Sequence, residues 1–559
     1  MKKVIINITK YLPKVLFWLL PLIYTFLYGQ YGYDFVDAGL INAGSWRIYL
    51  GQIPYKDFFW GKPPFSLYLH SLQFLLIPDQ LQAIGERFLY YVQVVTYSYL
   101  FSVIVKKFFS NELKSVNVYL LCMATFVYSA HNWAPFSWYT IDGIFFSTLG
   151  FYFLLNWNKV SFSILGMFFA FLAAMTKQSF YLIPFMILFV SYCLYGKKRT
   201  LQLLFSLIIF SVLSFLIVYS NNIFEPIFQN ITGQTKIKDF IKYGFFNYLN
   251  SSAIYLFVGI IVYLFTRLNF FKIKDKVSFI FFAVCLAFAT LTIKLGFNNM
   301  RFDRPSLWVD DDHGFFTGLF LVAILFVFYS LITHYKKKWI VLAAMLFISW
   351  SASISWGYNL PANFSGPLIF GSILFVSQVT LKDQVLINKS FSNVLIIFSV
   401  IGLVQFYILN QFVWKDSPRS ELTYDLGIIS NKLKFIKTDK GGYEKIDELF
   451  KLHKKYGDNY TVIPTFPSAH YLTGTLNPLP TDTEFNSEHF YQISSLINPI
   501  KEKDMTIFIE KDETTGYVPH LLKNKLVGYK YGSDITFWIM DNMINIDSTK
   551  HYDIYKGFK

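Results

Sequence analysis

Apolar runs of roughly 17–22 residues recur from the N-terminus to about position 413, and each is long enough to cross about 30 Å of hydrocarbon. In a bilayer core the backbone must satisfy its own polar groups, so such runs fold as helices. Spanning helices are expected near 13–30, 88–105, 116–131, 140–156, 160–176, 178–195, 201–220, 253–267, 277–294, 314–333, 338–355, 365–381 and 391–413. Composition agrees with this. Of the 559 residues, 54% are hydrophobic and only 15% charged, whereas soluble domains carry about 25% charge. The expected fold is an all-α polytopic membrane domain over 1–414, followed by a small C-terminal α/β domain over 415–559.

The formal charge of +15 does not indicate a nucleic-acid partner. Lys and Arg gather in short connections between the apolar runs, at Lys106 and Lys107, Lys197 to Arg199, Arg267 to Lys276 and Lys336 to Lys338. Alternate connections differ about fourfold in Lys/Arg density, and the positive-inside rule then places the N-terminus in the cytoplasm. The long connections 31–87, 221–252 and 295–313 face outward, as does everything after Trp414. A plasma (inner) membrane protein with an extracytoplasmic C-terminal domain follows. The N-terminal basic region precedes an apolar run with no small-residue cleavage site, which reads as an uncleaved first helix. Cys122, Cys193 and Cys285 all lie in apolar runs without metal-ligand spacing and read as buried small hydrophobes.

The stretch Tyr31 to Arg87 carries most of the charge near the outer face of the N-terminal part. Asp34 and Asp37 open it, Asp57 lies midway, Lys62 precedes Pro63 and Pro64, and Arg87 closes it. Its two apolar segments, AGLINAGSWRIYLG and PFSLYLHSLQFLLI, are too short to span and are expected to lie along the interface. A platform of this kind suits a lipid headgroup. Moving a sugar from a lipid phosphate requires a carboxylate that accepts the acceptor's proton and cations that stabilise the departing phosphate. Asp37 is the candidate base, although its position also suits a cap on the following helix. Asp34 and Asp57 are candidate partner carboxylates. Lys62, Arg87 and Lys177 are the candidate phosphate ligands. Lys177 sits in the very short outward turn TKQSF, where a lysine must snorkel or pair with an anion. A second acidic run, Asp310 to His313, imposes no ligand spacing and reads as a solvated loop end.

These motifs resemble the integral-membrane glycosyltransferases of the C superfamily, and within it the bacterial dolichyl-phosphate-mannose-type protein mannosyltransferases and lipid A aminoarabinose transferases. The residues carrying the resemblance are Asp37-Ala38-Gly39, the run Gly51 to Phe58 (GQIPYKDF), Lys62-Pro63-Pro64 and Arg87. The run LAAMTKQSF around Lys177 and Gln178 and the run PTFPSAHYLTG at 464–474 add to it. The resemblance implies a polyprenyl-phosphate-linked sugar donor, a catalytic Asp in the first outer loop, inversion at the anomeric carbon and no nucleotide-sugar at the site. It places Tyr55 and Gln178 beside the donor-phosphate lysines. Many relatives carry a second acidic residue after the Asp, and here that position is Ala38. A paired carboxylate would then come from Asp34 or Asp57, and a divalent metal ion stays open as the one candidate cofactor.

The implied partners are the lipid donor, membrane lipids and a glycan, glycolipid or protein acceptor. A transporter or flippase of lipid-linked saccharide is the alternative function, with a non-catalytic relative as a third. A transporter favours related halves or interrupted helices with midplane charges, and the sequence has no such halves. In the C-terminal part, the run 443–457 has helical periodicity, and Tyr460–Ile463, Met505–Ile509 and Ile535–Met540 read as strands.

Overall fold

The computed structural model describes residues 2–130, 135–225, 227, 246, 312–333, 336–354, 361–380, 384–411, 413, 416–464, 466–483, 494–511 and 534–559. The expected spans 253–267 and 277–294 lie outside the described residues. Each of the others falls on a helix: α1 (Lys2–Leu27), α5 (Gln82–Phe108), α6 (Val118–Ala130), α7 (Tyr139–Asn156), α8 (Val160–Ala174), α9 (Ile183–Tyr195), α10 (Lys197–Ser220), α11 (Asp312–Thr333), α12 (Lys337–Ser353), α13 (Gly366–Thr380) and α14 (Gln384–Leu409). Among the described residues, three helical stretches are long and apolar enough to cross a bilayer: Asp79–Phe108, Gln178–Tyr195 and Lys197–Ser220. In the other helices the apolar stretches are shorter, as in Tyr11–Leu27 and Val118–Ala130. α10 shows most plainly what the apolar surface is for, since Leu201, Phe205, Ile208, Val212 and Leu216 along it are all exposed. A soluble protein does not leave such a stripe uncovered.

Helix packing relies on small residues where backbones approach. A Cβ on Gly150 would sit 2.9 Å from the Gly166 carbonyl, and one on Gly166 would sit 2.6 Å from the Gly150 carbonyl. α7 and α8 therefore touch backbone to backbone, the close approach that lipid-embedded helices favour. The basic connections meet on one face. Lys107 donates to Leu155 O at 2.6 Å, Lys337 donates to Leu194 O at 3.2 Å, and Lys338 pairs with Glu112. Lys107 and Lys337 thus meet helix C-terminal carbonyls, which favour cations.

On the opposite face the first long connection forms α2 (Asp37–Tyr49), α3 (Phe65–Ser71) and α4 (Gln73–Leu76). Tyr68, Leu72, Leu75 and Leu76 form one exposed apolar stripe along α3 and α4, the pattern of a helix lying in an interface. α2 packs on α3 through Gly44, where a Cβ would meet the Leu67 methyls at 2.9 Å.

The C-terminal region contains a four-stranded sheet of order β3-β4-β6-β5, with β3 (Tyr460–Ile463) parallel to β4 (Thr506–Glu510). β5 (Met543–Ser548) and β6 (Tyr552–Phe558) complete it antiparallel. The amphipathic α15 (Lys440–Tyr456) is capped by Asp439, whose Oδ1 accepts from Gly442 N at 2.7 Å. The short α16 (Ala469–Thr473) and α17 (Ser494–Lys503) follow. The expected strand Ile535–Met540 is instead part of α18 (Asp534–Asn542). Its buried Ile535 and Ile539 recur at i and i+4, a helical spacing that β-branched and aromatic residues conceal in a short run.

This region is anchored on the first long connection. Arg47 of α2 forks onto Asp482, Nε to Oδ2 at 2.6 Å and Nη2 to Oδ1 at 2.9 Å, and also donates to Gln52 Oε1 and Leu479 O. Trp46 Nε1 donates to Thr475 O at 2.8 Å. Gly39 lies so close that a Cβ there would meet Pro467 at 2.8 Å. Lys445 and Glu510 form a fully buried pair at 2.6 Å, and the Lys445 ammonium lies 4.8 Å from the Phe35 ring centre. Arg47→Ala removes one half of a buried pair, so it should destabilise the protein by about 3–5 kcal/mol. Thermal unfolding in detergent should show a clearly lowered midpoint. An unchanged midpoint would mean that the fork does not hold the interface.

Asp416 joins the two parts. Its Oδ2 accepts from Tyr33 N at 2.8 Å and Thr438 Oγ1 at 3.1 Å, and its Oδ1 accepts from Ser417 N at 2.8 Å. Burial raises this carboxyl from 3.8 to about 6 despite those donors. A folded-state value above the unfolded one contributes stability that is complete below pH 3.8 and is lost as pH rises through about 6. Relative to Asp416→Asn, the parent should therefore lose thermal stability between about pH 4 and 6. A flat difference across that window would contradict the linkage.

Candidate active site

α7 begins at Tyr139, and the extended Trp138 before it places the tyrosine ring at the end of the helix. Two lysines from separate connections flank that ring. Lys62 Nζ lies 4.8 Å from its centre and Lys177 Nζ 5.6 Å. Lys177, in the turn between α8 and α9, is 7% exposed, and it donates to Ile354 O at 2.7 Å and Thr140 Oγ1 at 3.3 Å. The cation is thus held at the interface by the end of α12.

Two hydrogen bonds bring the Lys62 and Lys177 turns together. Gln178 Nε2 donates to Gly61 O at 2.8 Å, and Phe65 N donates to Met175 O at 3.0 Å. Tyr55 donates its hydroxyl to the Lys62 carbonyl and adopts a left-handed φ of 68°. That conformation costs a bulky residue of order 1–3 kcal/mol, and the Tyr55 N to Phe58 O hydrogen bond at 2.8 Å holds it. Tyr55, Lys62, Lys177 and Gln178 therefore converge, while Asp57 lies on the exposed side of the same turn. Its Oδ2 accepts from Ile53 N at 2.7 Å, which closes the turn.

Asp34 and Asp37 have different placements. Asp34 Oδ1 accepts from Val36 N at 2.8 Å and Asp37 N at 3.1 Å, so Asp34 caps the start of α2. Asp37 is the first residue of that helix, at the positive end of its dipole. One turn on, Ile41 belongs to the same buried cluster as Tyr55, Trp60 and Tyr139. Residues at i and i+4 share a helix face, so Asp37 lies on the side of α2 that carries Ile41 into this cluster.

Arg87 is placed elsewhere. It donates to Gly29 O at 2.6 Å, Tyr31 O at 3.2 Å and Gly32 O at 2.6 Å. Its guanidinium fixes the chain as it leaves α1, beside a small cleft that Asp34 and Glu86 also line. In that cleft Asp34 Oδ2 has no hydrogen-bond partner among the described residues.

Two polar groups were not singled out from the sequence. Glu86 accepts from Asn42 Nδ2 at 3.0 Å and Ser137 N at 2.9 Å, tying α2 to the segment that leads into Tyr139. Asp142, fully buried one turn after Tyr139, accepts from Gln93 Nε2 at 2.7 Å and contacts His70 Nε2 at 3.0 Å. Burial alone would lower the His70 pKa, and the Asp142 carboxylate outweighs it, so the value is raised. An Asp in the first turn of an apolar helix was the signal for it.

Among the described residues, no three His, Cys, Asp or Glu side chains gather as a metal-ligand set.

No protein-family model matches this chain, and no curated protein does. Among solved structures it is similar to ArnT from Cupriavidus metallidurans, in a crystal structure bound to undecaprenyl phosphate. The likeness covers 97% of each chain at 12% identity, with a TM-score of 0.43.

Proposed function

We propose that the protein transfers a sugar from a polyprenyl-phosphate-linked donor to an acceptor on the outer side of the membrane. The observation that carries this reading is the pair of lysines, Lys62 and Lys177, brought by two tied turns to one Tyr139 ring, in whose buried cluster Ile41 of α2, one helical turn after Asp37, also packs. Two ammonium groups at the edge of an apolar bundle suit a lipid phosphate, because charge-assisted hydrogen bonds gain strength where water is scarce.

The chemistry follows from those positions. Asp37 accepts the proton of an acceptor hydroxyl, and the oxygen attacks the anomeric carbon. The bond from that carbon to the phosphate oxygen breaks, and the bonding electrons leave with the polyprenyl phosphate. Lys62 and Lys177 stabilise the phosphate as its charge grows. Attack opposite the leaving group inverts the anomeric centre. Asp57 and Asp34 stand as turn-closing and helix-capping carboxylates around this step, and Arg87 holds the loop that carries Asp37.

The test is direct. Purified protein in nanodiscs receives a radiolabelled polyprenyl-phosphate sugar pool together with glycolipid, polysaccharide and protein acceptors. Label should pass to one acceptor class and release polyprenyl phosphate. Label that crosses the bilayer with its lipid linkage intact would instead identify a flippase.

A further inference from the structure

Beyond the sugar site, the C-terminal domain carries a loop whose surface does not suit water. β1 (Tyr424–Asp425) and β2 (Lys437–Thr438) pair antiparallel and enclose residues 426–436, folded as the turns Leu426–Ile428 and Asn431–Leu433. Leu426, Leu433 and Ile436 are buried and anchor the loop, whereas Ile428 is 76% exposed and Phe435 45%. Phe435 also has a left-handed φ of 72°, which a bulky aromatic adopts only at a cost. The fold bears that strain and leaves the ring outside its own core.

The position of the loop indicates what meets those side chains. Lys437 N donates to Gln30 O at 2.7 Å and Lys437 O accepts from Gly32 N at 2.8 Å, which ties the loop to the exit of α1. The turn Asn431–Leu433 packs on Asp79–Leu81 and on α5. The loop therefore lies level with the outer ends of two apolar helices, next to the exposed Phe26, Leu27, Leu81 and Leu89. Its lysines are arranged as they would be at a headgroup layer. Lys434 Nζ lies 5.4 Å from the Phe435 ring centre, and Lys437 Nζ lies 5.8 Å from the Tyr31 ring centre. Such pairs keep the aromatic body in the apolar layer and the ammonium at its polar edge.

We propose that residues 426–437 are a membrane-contacting edge of the C-terminal domain, with Ile428 and Phe435 set among the acyl chains of the outer leaflet. The lipid is the occupant because the patch continues the apolar surface of the neighbouring helices. This rests on the reading of those helices as membrane-embedded, and one experiment separates the two claims. The full-length protein is placed in phosphatidylcholine nanodiscs doped with a phospholipid carrying a diazirine in its acyl chain, then irradiated, and the adducts are mapped by mass spectrometry.

Adducts are expected on 426–437 and on α10. They should be absent from β5, whose Ile544 and Ile546 are as exposed as Phe435 but lie at the far edge of the sheet. In Ile428→Ser/Phe435→Ser the loop signal should fall to the β5 level while α10 labelling stays. Labelling of α10 without the loop, or of β5 as strongly as the loop, overturns the proposal. No labelling of α10 overturns the membrane reading beneath it.

Discussion

Asp37→Asn should lower sugar transfer by about 10²–10⁴-fold, the range that loss of a positioned general base produces. The donor KM should change little, because the lysine cluster that meets the phosphate is left intact. Asparagine is close in shape to aspartate at the first position of α2, and the Asp34 carboxylate that accepts from Val36 N and Asp37 N is left in place. The thermal midpoint should therefore match the parent, and a loss of rate reads as chemistry. Transfer at the parental rate would remove Asp37 from the mechanism.

Lys177→Met and Lys62→Met form the second large expectation. Methionine keeps most of the apolar stem and removes the charge. Hydrogen bonds to charged groups contribute about 1.5–3 kcal/mol, so each change should cost about 10–100-fold in kcat/KM for the donor. The double variant should lose more than either alone. The Lys177 change also leaves the Ile354 carbonyl without its donor, so unfolding midpoints must be read alongside. A rate loss in Lys62→Met with an unchanged midpoint is the cleaner signature. Parental donor kinetics in both variants would sink the phosphate clamp.

The bundle was legible in the sequence because a bilayer makes strict demands on length and polarity, and hydropathy reports both. Each described span sits on a helix, and 443–457 reads as a helix from its apolar spacing alone. Ile535–Met540 was misread because a short run of Ile, Phe and Trp suits a strand as well as a helix. The decision lay in Ile535 and Ile539 facing the same core. The site divides along the same line. The charges of Asp37, Lys62 and Lys177 stand out against an apolar chain, so their residue types were enough to nominate them. The roles of Asp34 and Arg87 were not legible, since an N-terminal carboxylate and an arginine near a helix start have many uses and only distance separates them. Tyr139 gave no signal. An aromatic at a helix end is ordinary in a membrane protein, and its place between two lysines is created by three distant connections.

The hydrogen bond from Lys177 to Ile354 O also orders events in time. The donor and acceptor are separated by 177 residues of chain, and the acceptor lies beyond α12. A nascent chain will have inserted α1 through α9, with Asp37, Lys62 and Lys177 already made, before that carbonyl leaves the ribosome. Until α12 arrives, Lys177 can meet Thr140 Oγ1 but not the Ile354 carbonyl. A protein stalled before residue 354 would hold every nominated side chain and still lack that second contact. The lysine is thus fixed in place only after most of the bundle has been made.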